Sequence, residues 1–391
     1  MTNVRGLSAE ELFILECCAC ETDETKTEAA LKNLCDKNLN WRHVIELALA
    51  EGVMPSVYRR VDSIGCVPEP AKREFRFHFQ DNAIRNRALA RDLLHITSLF
   101  ESHGITPIVF KGPVLALTGY GDVTMRQFSD LDLLVRRSEM PYAIRLLSEE
   151  GFVPQSWAAE VITNYEQVFL RPGSIAVLDL HWTLMPTYFP YMPDPELVRR
   201  RAVRLRLEDG EVTTLVPPDQ MLLTCVHGAK HGWEWLGMIA DVAALLRIEN
   251  GYDWPALCKE AKELGSLSML LLGLMLAHKA LAAPVPSLIS ELARRDRIVT
   301  SLVPHLLGFL FSARRRLRID FFRHCMLPLR TIGSRRARLT FVVGCLRPSL
   351  ADWQFVPLPK RLFPLYYLIR PLRALIQRTP RLVPRWASPK S

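Results

Sequence analysis

The chain has 391 residues, 49% of them hydrophobic, and a formal net charge of +9. This length predicts two or three domains with a sizeable hydrophobic core and requires no long disordered region. The charge is uneven, because residues 313–391 hold 18 Lys and Arg residues against only Asp320 and Asp352, whereas the remainder of the chain is mildly acidic.

The spacing of apolar residues and of cysteines argues against a membrane span and a zinc site. The longest apolar run, from Leu267 to Ala277, has about half of the ~20 residues that a spanning helix requires. Cys17 and Cys20 form a C-x-x-C pair, but no second pair follows at zinc-ligand spacing, so packing in the core is the preferred interpretation. The odd number of cysteines and the lack of a signal sequence predict a reducing cytoplasm.

The first part of the chain has helical patterns. Residues 8–62 are predicted to be helical, with Ser8 and Glu11 as a capping box and two short amphipathic helices around Gly52. A long helix is predicted from Ala71 to His103 and ends at Gly104. Its apolar residues recur at heptad-like spacing and comprise Leu89, Leu93, Ile96 and Phe100.

The pattern then changes to that of an α/β unit around a small sheet. Strands are predicted at Thr106–Phe110, Leu131–Val135 and Ser174–Asp179, with a helix over Ser138–Glu150. The turn Lys111-Gly112-Pro113 precedes a short helix around Val114–Leu117. Helical patterns resume at Pro217 and continue to about Phe311. The predicted regions are therefore 1–104 (helical), 105–216 (α/β core), 217–312 (helical bundle) and 313–391 (basic, rich in Arg and Pro).

Three aspartates lie in these apolar strands. Asp130 and Asp132 are two residues apart, so their side chains point to the same face of a strand, and Leu131, Leu133 and Val135 occupy the other face. Asp179 lies in the similar stretch IAVLDLHW. Carboxylates in an apolar strand repel one another unless a cation lies between them. Oxygen ligands of this kind suit Mg²⁺.

The segments KGPVLALTGYGD, RQFSDLDLLV and LDLHW resemble the bacterial uncharacterised nucleotidyltransferase family, within the superfamily that has the polymerase-beta-like fold. The resemblance covers about residues 8 to 250 and does not extend to the tail. It implies an α+β fold, in which a small mixed-sheet core is flanked by an N-terminal helical domain and a C-terminal helical bundle.

The resemblance also implies Mg²⁺-dependent transfer of a nucleoside monophosphate from an NTP, with ATP favoured, to a hydroxyl-bearing acceptor. A small molecule, a glycan precursor and a peptide are all candidate acceptors. Asp130 and Asp132 would hold the metal ions that bridge the triphosphate. Asp179 would hold the second metal of a two-metal site and help to deprotonate the acceptor. Mn²⁺ is the alternative cation.

Several further residues are candidates for nucleotide binding. Gly112 matches the family's glycine beside the phosphates, and Lys111 and Arg126 would neutralise the triphosphate. Ser129 and Lys230 are additional candidates. Pro113 departs from the Gly-Gly or Gly-Ser of many superfamily members and removes an N–H donor.

Three histidines are assigned supporting roles. His181 shares the strand face of Asp179, where orienting the aspartate is preferred over substrate contact. His227 and His231 are four residues apart and share a helix face. They are interpreted as interface residues, with presentation of Lys230 and a histidine to the nucleotide as the alternative. Asp241 is interpreted as a partner for His231 or Lys230, or as a cap or surface residue.

The basic tail leaves three interpretations open. It is a solvated helical face, a surface that follows the phosphates of RNA or DNA, or a surface that lies on an anionic membrane. The RNA interpretation accompanies an alternative function, that of a toxin-type nucleotidyltransferase that modifies RNA. A non-catalytic nucleotide-binding or scaffold protein is a further alternative, against which the three aspartates argue. The predicted location is cytoplasmic, with association at a membrane surface through the tail as a variant.

Overall fold

The computed structural model describes residues 6–20, 24–155, 165–248, 251–311, 326–348 and 350–376. The Arg-rich stretch 314–318 and the end of the basic tail, 377–391, lie outside the described residues. Within the described ranges, no helix combines the length and the apolar composition that crossing a bilayer would require.

Five helices form the N-terminal part: α1 (Ala9–Cys18), α2 (Glu24–Cys35), α3 (Trp41–Ala50), α4 (Met54–Ser63) and α5 (Glu69–Ser102). The predicted capping box is confirmed, because the Glu11 amide donates to Ser8 Oγ at 3.2 Å and the Ser8 amide donates to the Glu11 carboxylate at 2.8 Å. The long helix α5 is also confirmed. Gly104 follows it with φ of +78°, a conformation that glycine adopts without strain.

A seven-stranded sheet follows, with the order β3-β4-β5-β2-β1-β7-β6. Its strands are β1 (Ile108–Phe110), β2 (Asp130–Leu134), β3 (Val153–Pro154), β4 (Glu166–Leu170), β5 (Val177–His181), β6 (Val203–Leu207) and β7 (Gly210–Thr214). β2 pairs with β5 in parallel and with β1 antiparallel, which confirms a mixed sheet. The prediction of only three strands was incomplete, and β5 begins three residues later than the predicted third strand.

The two faces of the sheet differ in what covers them. Leu131, Leu133, Leu178 and Leu180 form one apolar face, and they share a buried core with the predicted apolar stripe of α5. The helices α6 (Gly112–Tyr120) and α7 (Met140–Glu149) lie between the strands along the chain. The aspartates and His181 are on the alternate positions of the strands, so they project from the opposite face.

The helices after β5 are α8 (Pro195–Arg201), α9 (Pro217–Lys230), α10 (Leu236–Leu245), α11 (Trp254–Glu263), α12 (Leu267–Leu281), α13 (Ser287–Arg295) and α14 (Arg297–Gly308). The helices from α9 onward share one hydrophobic core with α1 to α4. Backbone hydrogen bonds join the two groups, such as that from the Cys20 amide to the Leu281 carbonyl at 2.7 Å. The predicted domain boundaries stay a prediction.

The cysteines are only partly as expected. Cys17 is buried, in agreement with core packing. Cys35 and Cys66 form a disulfide with their Cα atoms 6.2 Å apart, a pairing that the spacing of the cysteines did not predict. Disulfides are rare in a reducing compartment, so this pair does not support the predicted cytoplasmic location, which stays a prediction.

Asp219, in the first turn of α9, is expected to make stability depend on pH. It is buried, its Oδ1 atom lies 2.8 Å from Arg201, and burial raises its pKa to about 6 despite the opposing charge of that arginine. An unfolded Asp titrates near ~4, so the folded state binds the proton more tightly, and the stabilisation present below that pH is lost as pH rises through about 6.

The Asp219→Asn variant should therefore gain stability relative to the wild-type chain as pH rises from ~4 to ~7, by up to about 3 kcal/mol. Urea unfolding of both proteins across this range measures the difference. Asp209→Asn, in the exposed turn between β6 and β7, serves as the control. A difference between Asp219→Asn and wild type that does not vary with pH would contradict the prediction.

Candidate functional site

Two of the predicted aspartates meet on adjacent parallel strands. The register of β2 and β5 pairs Asp132 with Asp179 and Asp130 with Val177. Paired positions of parallel strands place their side chains on the same face of the sheet. The strand pairing therefore brings together two carboxylates that are 47 residues apart in the chain.

Asp132 lies at the centre of a charged cluster and is only 2% exposed. Its Oδ1 atom accepts a hydrogen bond from Lys111 Nζ at 3.0 Å and lies 3.1 Å from His181 Nε2. Burial by itself would raise the pKa of Asp132, but the Lys111 charge and the His181 contact outweigh it and hold that pKa well below its usual range. Asp132 is therefore ionised in the fold.

Asp179 behaves in the opposite way. Burial, followed by the negative charges of Asp130 and Asp132, raises the pKa of Asp179 well above its usual range. Among the described residues, Asp132 Oδ2 and Asp179 Oδ1 are buried without a hydrogen-bond partner. Two buried carboxylate oxygens without hydrogen-bond partners are suitable ligands for a cation, which would compensate their charge.

The side chain of His181 completes this group. One ligand atom from each of Asp132, Asp179 and His181 lies within 4.8 Å of the others, so the three residues could hold a metal ion. His181 was predicted to orient Asp179, but its Nε2 atom contacts Asp132 instead. Asp130 is the first residue of β2, the strand that also contains Asp132, and its negative charge acts on Asp179 and Lys111. Its role as a ligand stays a prediction.

Strand β4 and the position before it add two residues that the sequence did not single out. Glu166 pairs with His181 across the antiparallel strands, and its Oε2 atom lies 3.5 Å from His181 Nδ1. Tyr165 comes directly before it, and burial together with the Glu166 charge raises the pKa of Tyr165 well above its usual range. No sequence signal marked these residues, because only the pairing of β4 with β5 connects them to the site.

The turn before α6 approaches β2 closely. Lys111 has φ of +59° and ψ of −147°, a region that costs a residue with a side chain about 1–3 kcal/mol and that clusters at functional sites. Gly112 follows with φ of +40°, and a Cβ atom there would lie 3.1 Å from the Asp130 carbonyl oxygen. Gly112 is thus required by the approach of the backbone to β2, and its contact with phosphate stays a prediction.

Pro113 occupies the first turn of α6. At this position an N–H has no partner within the helix, so the proline costs no helical hydrogen bond. It still removes one donor that a bound anion would use. The positive end of the α6 dipole and the Lys111 ammonium remain on this side of Asp132.

Helix α9 brings a second positive charge, that of Lys230, near the cluster. Lys230 Nζ lies 3.3 Å from Tyr165 Oη and 5.1 Å from the centre of its ring. Burial lowers the pKa of Lys230, and the nearby charges of Glu166, Asp132 and Asp179 oppose this effect. Lys230, at the end of α9, therefore lies near the acidic cluster, and the interpretation of the two histidines of this helix as interface residues stays a prediction.

The two histidines of this helix accompany Lys230. Their rings are 4.5 Å apart, and burial, followed by the Lys111 charge, lowers the pKa of His227 well below its usual range. Within the described residues, His227 Nδ1 is buried without a hydrogen-bond partner. His227 and His231 thus lie beside the site, although neither is within the three-residue metal group.

Arg126 has a partner that the sequence did not predict. Its Nε and Nη2 atoms donate to the two carboxylate oxygens of Asp241, each at 2.9 Å, and Tyr120 Oη donates to the same carboxylate at 2.9 Å. Both interpretations of Asp241 were therefore wrong: Arg126, not His231 or Lys230, matches both of its oxygens, and Asp241 is a buried residue inside α10 rather than a cap or surface residue. Contact of Arg126 with a triphosphate stays a prediction, as does that of the exposed Ser129.

Comparison with known proteins matches most of the chain to one protein family. Residues 37–282 match the model of a family described as uncharacterised nucleotidyltransferase, and this range contains every residue of the acidic cluster and of the surrounding cations. No curated protein matches the chain. The family was the one expected from the K-G, D-L-D-L and D-L-H-W segments. The chain therefore belongs to the uncharacterised nucleotidyltransferase family.

Proposed function

We propose that this protein is a cation-dependent nucleotidyltransferase that moves a nucleoside monophosphate from an NTP, with ATP favoured, to a hydroxyl group of an acceptor. A small molecule, a glycan precursor and a peptide are the candidate acceptors. The observation that carries the proposal is the parallel pairing of Asp132 with Asp179, which leaves two orphaned carboxylate oxygens in a cluster that Lys111 contacts and Lys230 acts on electrostatically.

Asp132 and Asp179 would hold the cation, with Asp130 or His181 as a further ligand. The chemistry that a divalent ion would supply there is stabilisation of the negative charge that develops during transfer. Carboxylate ligands suit Mg²⁺ and Mn²⁺, and an imidazole ligand from His181 would favour Mn²⁺ over Mg²⁺.

The remaining residues would position the nucleotide and handle charge. Lys111 and Lys230 approach the cluster from α6 and α9, and their ammonium groups would neutralise the triphosphate. Asp179 would accept the proton of the acceptor hydroxyl. The oxygen of that hydroxyl then bonds to the α-phosphorus, and the bond from this phosphorus to the pyrophosphate oxygen breaks.

The test is the transfer of label. The purified chain is incubated with each α-labelled NTP, Mg²⁺ or Mn²⁺, and a cell extract, which is then separated into small-molecule, glycan, protein and RNA fractions. Label in one of the first three fractions, with release of pyrophosphate, is expected. Label in RNA would overturn the acceptor class in favour of an RNA-modifying enzyme. Nucleotide that binds but is never transferred would contradict catalysis.

Replacement of Lys230 by Met is expected to weaken NTP binding about tenfold, because a charged contact to phosphate is lost. The Kd of a fluorescent NTP analogue in the presence of Mg²⁺ measures the effect. Lys259→Met, on the exposed side of α11, is the matched control and should leave Kd unchanged. Equal Kd values for both variants would remove Lys230 from the nucleotide site.

A further inference from the structure

The described part of the basic tail exposes an unusual share of apolar surface. Residues 326–376 contain 11 of the 19 large apolar side chains that are exposed among the described residues, although they make up well under a fifth of these residues. Contiguous exposed apolar surface usually marks a site of interaction. Two helices carry most of it: α16 (Arg335–Cys345) and α18 (Tyr366–Ile376), which follow α15 (Leu327–Thr331) and flank α17 (Leu350–Phe355).

Helix α16 turns an apolar stripe outward. Leu339, Val342, Val343 and Leu346 are exposed, and their spacing of three, one and three residues places them on a single helical face. Leu339 is 66% exposed. The opposite side is the buried one, where Phe341 packs into the core. A helix whose exposed face met only water would carry polar side chains there and keep its apolar side chains on the buried face.

Helix α18 has the same inverted arrangement. Its inward face consists of Tyr366, Arg370 and Arg373, at spacings of four and three residues. Both arginines contact the fully buried Asp352: Arg370 Nη1 lies 3.3 Å from Oδ2 and Arg373 Nε lies 2.6 Å from Oδ1. Leu368 and Leu372 are on the outward face, and Leu365 precedes them on the same side. The two arginines of this helix therefore face inward, whereas Leu368 and Leu372 face outward.

The charges around these stripes have one sign. Arg335 and Arg336 are exposed at the start of α16, and Arg347 is exposed just after its end. In residues 313–391 the only acidic residues are Asp320 and Asp352, and Asp352 is buried between its two arginines. An apolar stripe rimmed by arginines matches a surface that is both apolar and anionic.

We propose that residues 326–376 form a surface that binds an anionic lipid bilayer, with the outward stripes of α16 and α18 inserted at the level of the headgroups. The character of the exposed side chains separates this partner from nucleic acid. Of the 11 exposed residues only Phe355 and Tyr367 are aromatic, and the others are Leu, Val and Met. Binding to single-stranded nucleic acid depends on stacking of bases on aromatic rings, whereas aliphatic side chains suit the acyl boundary of a bilayer.

The test is co-sedimentation of the full chain with vesicles of phosphatidylcholine alone or of phosphatidylcholine mixed with phosphatidylglycerol. Binding to the anionic vesicles that weakens with added salt is expected, with little binding to the neutral ones. A variant that combines Leu339→Asn, Val343→Asn, Leu368→Asn and Leu372→Asn should lower the partition onto anionic vesicles about tenfold or more. Arg335→Ser with Arg336→Ser should lower both the binding and its salt dependence.

The matched control is Phe77→Asn with Ile84→Asn on α5, whose side chains are equally exposed but lie outside this surface. It should leave vesicle binding unchanged. Because all of these side chains are exposed, circular dichroism and the Tm of every variant should match those of wild type.

Three results would overturn the proposal. The first is equal vesicle binding by the wild type and by the variant with four Asn substitutions. The second is binding of single-stranded RNA, without vesicle binding, that depends on Arg335 and Arg336 but not on the leucines. The third is a concentration-dependent dimer, without vesicle binding, that the four Asn substitutions abolish, because the surface would then bind a second copy of the chain.

Discussion

Replacement of Asp132 by Asn should lower the rate of nucleotidyl transfer by about 10³-fold or more. The substitution keeps the shape of the side chain but removes the charge that Lys111 and His181 hold in place. It leaves the cation with one carboxylate at the centre of the site instead of two, and charge stabilisation of this kind contributes several kcal/mol to a transition state. The initial rate of label transfer from the preferred NTP measures the effect.

Two controls separate this loss from unfolding. Asp209→Asn makes the same chemical change in an exposed turn and should retain full activity. In addition, Mg²⁺ or Mn²⁺ should raise the Tm of the wild-type chain but not that of Asp132→Asn, because only the former binds the ion tightly. Transfer by Asp132→Asn at more than a tenth of the wild-type rate would refute the mechanism.

The second large effect concerns stability. Asp241→Asn should lower the free energy of unfolding by about 3 kcal/mol, because it leaves the largely buried Arg126 guanidinium without its counter-charge. Tyr120 keeps an acceptor in the Asn side chain, so the loss is mainly that of the ion pair. Urea unfolding followed by circular dichroism measures the change.

A double variant and a surface control sharpen this experiment. Arg126→Met combined with Asp241→Asn removes both charges, keeps an acceptor for Tyr120 Oη and should restore most of the lost stability. Glu46→Gln breaks the exposed pair with Arg42 and should change stability by only a few tenths of a kcal/mol. If Asp241→Asn were no more destabilising than Glu46→Gln, the ion pair of Arg126 and Asp241 would not stabilise the fold.

The same double variant decides the role of Arg126 in nucleotide binding. Once stability is restored, a Kd for NTP equal to that of wild type would assign Arg126 to the fold alone. A raised Kd would show that the guanidinium also contacts the triphosphate, as the resemblance to the family implies.

Local patterns were sufficient to predict that β2 has one apolar face and one face that carries the aspartates. The alternation of Asp130 and Asp132 with Leu131 and Leu133 has the period of a strand, and the leucines are buried as expected. Periodicity reports on local conformation, so these predictions depended on no distant contact.

Contacts between distant segments could not be read in this way. The partner of Asp241 is 115 residues away, and Glu166 reaches His181 only through the pairing of β4 with β5. Gln167 is buried in β4, which breaks the alternation by which a strand is recognised. The hairpin of β6 and β7 was not predicted, but its local pattern would have allowed it, because V-R-L-R-L alternates and the turn-forming pair Asp209-Gly210 follows.

The position of β5 has a consequence for the order in which the protein matures on the ribosome. β5 lies between β2 and β4 in the sheet, yet it is made after both of them. A nascent chain that ends before Val177 already carries Asp130 and Asp132 but has no opposing carboxylate. On the proposed function, the pair of carboxylates that would hold the cation is complete only once β5 has inserted beside β2, and such a long-range pairing forms slowly compared with the N-terminal helices.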